Sequence, residues 1–346
     1  MMLARTDPIP IGRPSFLAAR RAATLDLMDV DVAVIGIPYT TPPDLARSRA
    51  PSSTAPEAVR QQSLRLVDSV DHYDFDFGGD LFAGRRVRIA DCGDVRALPG
   101  RYDENSRVAT AVIKAVLDRG VLPIVLGGDH AAAIPTLRAY AGRAPICVVH
   151  LGANLDWKDE VNGVRESLSS AMRRAAELGW VTSMIQIGLR GSGGARRGEV
   201  DDADAFGSVR VRAEELHEVG VRELLARVPA APSYYVSLDA GALDPTIAPG
   251  VETPVFGGLT YFEATNLLKG IAAKGPVIGV DLVGIVPAHD RGDMTSLLGV
   301  RLILNLLGAL AHAGRIGAPA GASAAAPRAT GRATVAATPV LDPVLS

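Results

Sequence analysis

The sequence predicts an α/β fold, a three-layer α/β/α sandwich around a mostly parallel central sheet. Three observations lead there. Short runs rich in Val and Ile recur along the chain, and they are apolar almost continuously rather than at alternate positions, as strands covered on both faces are. Segments of helical period with readable ends fall between them. The 346 residues, 48% hydrophobic and 21% charged, also suffice for one large core.

The elements follow in order. Residues 1–30 form an N-terminal arm, whose opening MMLARTDPIPIGRPSF has prolines where a secretory signal needs an unbroken apolar run. DVAVIGI (31–37) is the first strand, and RVRIADCGDV (86–95) the second. A helix is expected over about 105–120, followed by the strands VLPIVLGGDH (121–130) and APICVVH (144–150). A second helix covers about 166–179, and SMIQIGLRG (183–191) and YYVSLDA (234–240) are strands. The stretch TYFE, with Thr260 three residues before Glu263, is a capping box opening a helix that stops near Gly275. PVIGVDLVGI (276–285) is the last strand. The most apolar helix, 296–313, is interrupted by Arg301 and Asn305; burial in the core explains it, and no run reaches the length that spans a bilayer. From Gly317 the chain turns to Ala, Gly, Pro and Thr with hardly a large apolar residue, which cannot offset ordering entropy. The expected organisation is thus an arm (1–30), one domain (31–316) and a flexible tail (317–346).

Charge excludes some functions. Lys plus Arg (36) nearly balances Asp plus Glu (38), so no field of one sign favours nucleic acid or an anionic membrane as partner. Cys92 and Cys147 lie in apolar runs and form no motif, as in a chain of the reducing cytoplasm.

In parallel sheets the ligand site lies off the carboxyl ends of the strands, and here those ends are acidic. One run closes on Asp129 and His130, the next on Asp156, a later one on Asp239 and Asp244, the last on Asp281, His289 and Asp290. Each alone reads as a turn former; together, flanked by glycine, they point to a divalent-cation site.

The segments GIPY, ADCGDV, LGGDH, LDWKDEVNG, QIGLRG, LDPTIAPGVETPVFGGLTYFEA and DLVGIVPAHD carry a resemblance to the ureohydrolases, the family of arginase, agmatinase and guanidinobutyrase, over about residues 31–316. The resemblance implies an arginase-like fold and hydrolysis of a guanidinium group by two metal ions, manganese or nickel, bridged by hydroxide. It also implies which ligands are present. The GGDH histidine is His130. The family's DAHxD falls on Gly152, Ala153, Asn154, Leu155 and Asp156, keeping only the last carboxylate. Its SxDxD falls on 237–241, keeping Asp239 and putting Gly241 at the second carboxylate. The glutamate that faces the guanidinium in DxxExxP is Gly284, and a histidine near the scissile group aligns with Leu168. His130, Asp156 and Asp239 therefore remain as a vestigial set with room for one ion at most, while Gly152, Asn154, Gly241 and Gly284 are lost positions. Three carboxylates became glycine, which suggests a vacated, water-filled pocket, although a glycine at a strand end also serves a bend.

Other residues have plainer readings. His150 is expected to be a satisfied core histidine, His289 and Asp290 to order the loop after the last strand, and 188–199 to be a mobile surface loop rather than an anion cradle.

With nucleophile generation and clamp removed together, the resemblance implies a chain without hydrolytic activity of its own. The expected function is that of a non-catalytic subunit in a hetero-oligomeric ureohydrolase, a trimer or hexamer, supporting an active paralogue that holds binuclear nickel or manganese. The chain resembles the metal-poor partner in a metformin-hydrolase type complex, acting on a biguanide or another guanidino compound. Two alternatives stay open: a mononuclear hydrolase using His130, Asp156 and Asp239, and a sensor of a small ligand.

Overall fold

The computed structural model describes residues 6–8, 12–39, 53–98 and 101–319. Nine parallel strands form one sheet. In chain order they are β1 (Arg20–Arg21), β2 (Val32–Ile37), β3 (Ile89–Asp94), β4 (Leu122–Gly127), β5 (Ile146–Leu151), β6 (Val181–Leu189), β7 (Val209–Arg212), β8 (Ser233–Asp239) and β9 (Val277–Val283). Their spatial order is β1-β3-β2-β4-β9-β8-β5-β6-β7. The seven expected strands all belong to the sheet. The two at its edges were not legible: Arg20–Arg21 is too short and too charged, and Val209–Arg212 alternates apolar and charged residues because one face meets solvent.

Helices cover both faces, as the sandwich requires. One face packs against α1 (Ala55–Ser63), α6 (Ala213–Arg227), α7 (Tyr261–Lys274) and α8 (Met294–His312), and the other against α2 (Tyr102–Leu117), α3 (Ala133–Arg138), α4 (Ala171–Ala176) and α5 (Arg197–Phe206). The Thr260–Glu263 capping box opens α7 as expected. The helix expected over 166–179 is shorter, a 3-10 turn at Leu168–Ser170 running into α4.

Helix α8 corrects one expectation. The stretch Arg291–His312 is long and apolar enough by length and composition to cross a membrane, yet 78% of that apolar window is buried inside the protein. Its two polar interruptions find partners there: Arg301 pairs with Asp74 and Asp76, and the Asn305 amide nitrogen donates to Asp76 Oδ2 and Tyr261 Oη, while its Oδ1 is buried without one. Part of the N-terminal arm also belongs to the body, since Phe16 is fully buried and Arg20–Arg21 forms the first edge strand. Ala318–Pro319 pairs antiparallel with Arg85–Arg86, and the rest of the expected tail lies outside the described residues.

One register row positions the site. Asp281, Ser237, His150 and Gln186 stand side by side on β9, β8, β5 and β6. Partners in register on parallel strands point to the same face, so four polar side chains form a line through the sheet. All four are fully buried.

Candidate functional site

The site is built where this row meets the strand ends. After β4 the backbone turns at Asp129, whose side chain accepts from Ala131 N and caps a short 3-10 turn beginning at His130. The turn lays the His130 ring over the sheet. Asp156, at φ +52, takes a left-handed conformation that aspartate tolerates better than most residues. Its carbonyl accepts from Met172 N and Arg173 N at the start of α4, which fixes the turn.

His130 is held from both sides. Its Nδ1 lies 2.7 Å from Asp156 Oδ2 and its Nε2 lies 2.8 Å from Ser237 Oγ. Ser237 in turn donates to Asp281 Oδ1 at 2.8 Å, and Tyr235 Oη donates to Asp281 Oδ2 at 2.6 Å. The distances from serine through histidine to aspartate resemble a nucleophilic triad, but the polarity is reversed. The serine proton goes to Asp281, so Ser237 accepts from His130 Nε2, and a ring that also donates to Asp156 is an imidazolium. Burial opposes that charge; Asp156, by hydrogen bond and charge, and Asp239 and Asp281, by charge, outweigh it and hold the imidazole up at about 9. Burial conversely pushes Asp239 up to about 6, against the pull of His130.

His150 corrects the sequence reading. It is a core histidine but only half satisfied: Nδ1 meets Gln186 Nε2 at 3.1 Å, whereas Nε2 is buried with no partner, 4.0 Å from Asp156 Oδ2. Burial, then the charge of His130 4.8 Å away between ring centroids, holds this imidazole well below its ordinary range.

The vestigial trio is likewise regrouped. The close cluster of candidate ligand atoms among the described residues comes from His130, His150 and Asp156, all within 4.8 Å of one another. Asp239 lies outside that close group, and its Oδ1 accepts from Gly241 N at 2.8 Å.

The glycine positions are crowded by neighbouring side chains rather than vacated. A β-carbon on Gly152 would stand 2.2 Å from His150 Nε2, and one on Gly284, at φ +79, would stand 2.2 Å from Asp239 Oδ1. On Gly241 it would lie 3.2 Å from the same oxygen. Asn154 sits half-buried, its Oδ1 close to Gly194, and Leu168 opens the turn before α4. Gly152 thus has a reason beyond a bend, since an imidazole fills the volume its side chain would need.

The loop after β6 is also anchored. Arg190 donates to the carbonyls of Gly188, Gly241, Ala242, Leu243 and Val255 at 2.8–3.2 Å, tying the loop to the end of β8. Nothing in the Gly and Arg content of 188–199 signalled this. Asp290 accepts from Thr295 N, Ser296 N and Ser296 Oγ, and His289 Nδ1 meets Val251 O at 3.0 Å, so both order their loop as expected.

Comparison with known proteins agrees with this architecture. The arginase family profile matches residues 30–308. The chain belongs to the arginase family. It is 34% identical over 315 residues to guanidinopropionase of Pseudomonas aeruginosa, covering 87% of this chain and 93% of that protein. Agmatinase of Salmonella paratyphi B is 31% identical over 81% of this chain and 87% of its own length. Among solved structures, proclavaminate amidino hydrolase from Streptomyces clavuligerus superposes with a TM-score of 0.74 at 28% identity, covering 87% of this chain and 97% of its own. A hypothetical agmatinase from Burkholderia thailandensis gives 0.73 at 26% identity, covering 88% and 92%. The fold is therefore that of the arginases and agmatinases.

Proposed function

We propose that this member of the family is a non-catalytic subunit, supporting an active paralogue in a cytoplasmic hetero-oligomer that hydrolyses a guanidino compound. The observation that carries the reading is the closure of the surviving ligand positions upon one another. His130 is engaged at both nitrogens and Asp239 Oδ1 accepts from Gly241 N, while Gly152, Asn154 and Gly241 supply neither a carboxylate nor an imidazole. Two ions bridged by hydroxide need a larger set of anionic and imidazole donors, so the residues present do not fit a binuclear centre. Gly284 offers no carboxylate to a guanidinium either.

The reaction then belongs to the partner chain, which would hold the nickel or manganese pair. The names of the relatives support a guanidino compound as substrate, and a metformin-like biguanide falls within that chemistry. Trimers or hexamers are the assemblies to expect, because contacts outside the cleft can outlast the loss of metal ligands. A mononuclear hydrolase on His130, Asp156 and Asp239 has weaker support, since Asp239 stands outside the close cluster.

The test is reconstitution. The chain, purified without a chelating tag, is assayed alone for release of urea or amine from guanidino compounds and biguanides, then co-expressed with a relative whose DAHxD and SxDxD motifs are intact. No turnover alone, with co-elution and altered activity in the pair, is the expected result. Two bound ions or turnover by the chain alone would overturn the reading.

A further inference from the structure

The aromatic rings exposed among the described residues do not scatter over the surface. They are Tyr73, Phe75, Phe256 and Phe262. The hairpin of Tyr73–Asp74 and Gly79–Asp80 turns Asp74 and Asp76 inward to Arg301, which leaves Tyr73 and Phe75 outward, edge to face, with ring centroids 5.1 Å apart. Asp76 also accepts from Tyr261 Oη, and the Tyr261 ring meets that of Phe262 at 5.5 Å, so the hairpin adjoins the start of α7. One residue on, Glu263 Oε1 lies 2.8 Å from His217 Nδ1 on α6, and His217 shares a pocket with Phe256. Single apolar residues on a surface are ordinary; four exposed rings on one connected strip mark a face that another protein covers.

The pocket indicates what the partner brings. It holds about 390 Å³ between Arg190, Glu214, His217, Glu218 and Phe256. Arg190 is spent on its carbonyls and Glu214 on Arg212, whereas the exposed Glu218 has no ion pair or hydrogen bond among the described residues. A free carboxylate beside a phenyl ring that is 82% exposed suits a guanidinium, which can stack on the ring and fork onto the carboxylate. This chain is itself rich in that group. Only four of its 36 basic residues are lysine, namely Lys114, Lys158, Lys269 and Lys274, and the rest are arginine.

We propose that this strip docks a second copy of the chain, which sets an arginine against Glu218 and Phe256 and covers Phe75 and Phe262. Because Arg190 and Arg212 beside the pocket are already engaged, the incoming arginine belongs to a different part of the neighbouring copy. The contact is then heterologous. It builds assemblies of three or more chains, not a twofold pair.

The test is the mass of the full chain in solution, measured at micromolar concentration by light scattering and sedimentation. Three or more chains per particle are expected. Glu218→Arg, which reverses the free charge, and Phe256→Ala, which removes the ring, should each weaken association by about tenfold or more. Both side chains are exposed, so the circular dichroism spectrum should not change. A wild-type monomer or dimer, or an assembly that survives both substitutions, overturns the proposal. A chain that assembles with itself but not with a paralogue would keep this surface and sink the function proposed above; a monomer that pairs with a paralogue would do the reverse.

Discussion

Single residues in this buried cluster matter through charge and volume. The His130 imidazole, raised from 6.5 to about 9, favours the folded state by roughly 3 kcal/mol when protonated. Because the folded-state value is the higher one, that stabilisation is complete below pH 6.5 and lost as the pH rises through 9. Urea unfolding measured across this window should show falling stability in wild type and a flatter profile in His130→Gln; equal slopes would refute the charge assignment. Volume makes the second case. Rebuilding the glutamate by Gly284→Glu places a side chain at φ +79 against Asp239, a strain and overlap that should cost about 2–4 kcal/mol. Chemical denaturation reads this directly, and an unchanged midpoint would mean that Asp239 moves freely.

Elements are joined at this end of the sheet by Arg190. Five carbonyls converge on one guanidinium from the end of β6, the turn after β8 and the Val255 loop. Burial lowers its pKa, so the charge is kept by these dipoles and by the nearby Asp244 and Asp239. Lysine is a point charge that cannot serve a planar array of acceptors. Arg190→Lys is therefore expected to lose about 2–3 kcal/mol, with faster amide exchange confined to 241–243 and 253–258. Exchange that rises uniformly over the chain would indicate general destabilisation instead. The sequence pattern reads this segment only as a loop, because a contact set made of backbone carbonyls leaves no trace in residue types.

At the scale of the whole molecule, stability should be independent of metal. Both faces of the sheet are covered by apolar clusters, and the buried polar cluster is braced by the chain from Tyr235 through Asp281, Ser237 and His130 to Asp156. Addition of a chelator should leave the Tm unmoved; a fall of more than about 4 °C, equivalent to over 1 kcal/mol for a domain this large, would reveal a resident structural ion. The core itself is the larger reservoir. Leu304→Ala in α8, a fully packed position, should cost about 2–5 kcal/mol, measured by the same denaturation.

The strand runs, the capped helices, the parallel sheet and the family were legible because they follow from periodicity, capping chemistry and motifs, which are local in sequence. So were His130, Asp156 and Asp239 as the polar remnants at strand ends, and the glycines beside them. What only the tertiary structure decided is how these groups pair. Gln186, His150, Ser237 and Asp281 are polar residues inside apolar runs, and they form a row only because strand order and register bring β6, β5, β8 and β9 side by side. Hydrogen-bond direction, and with it which nitrogen holds a proton, depends on those neighbours from distant parts of the chain, and no pattern along one segment encodes it.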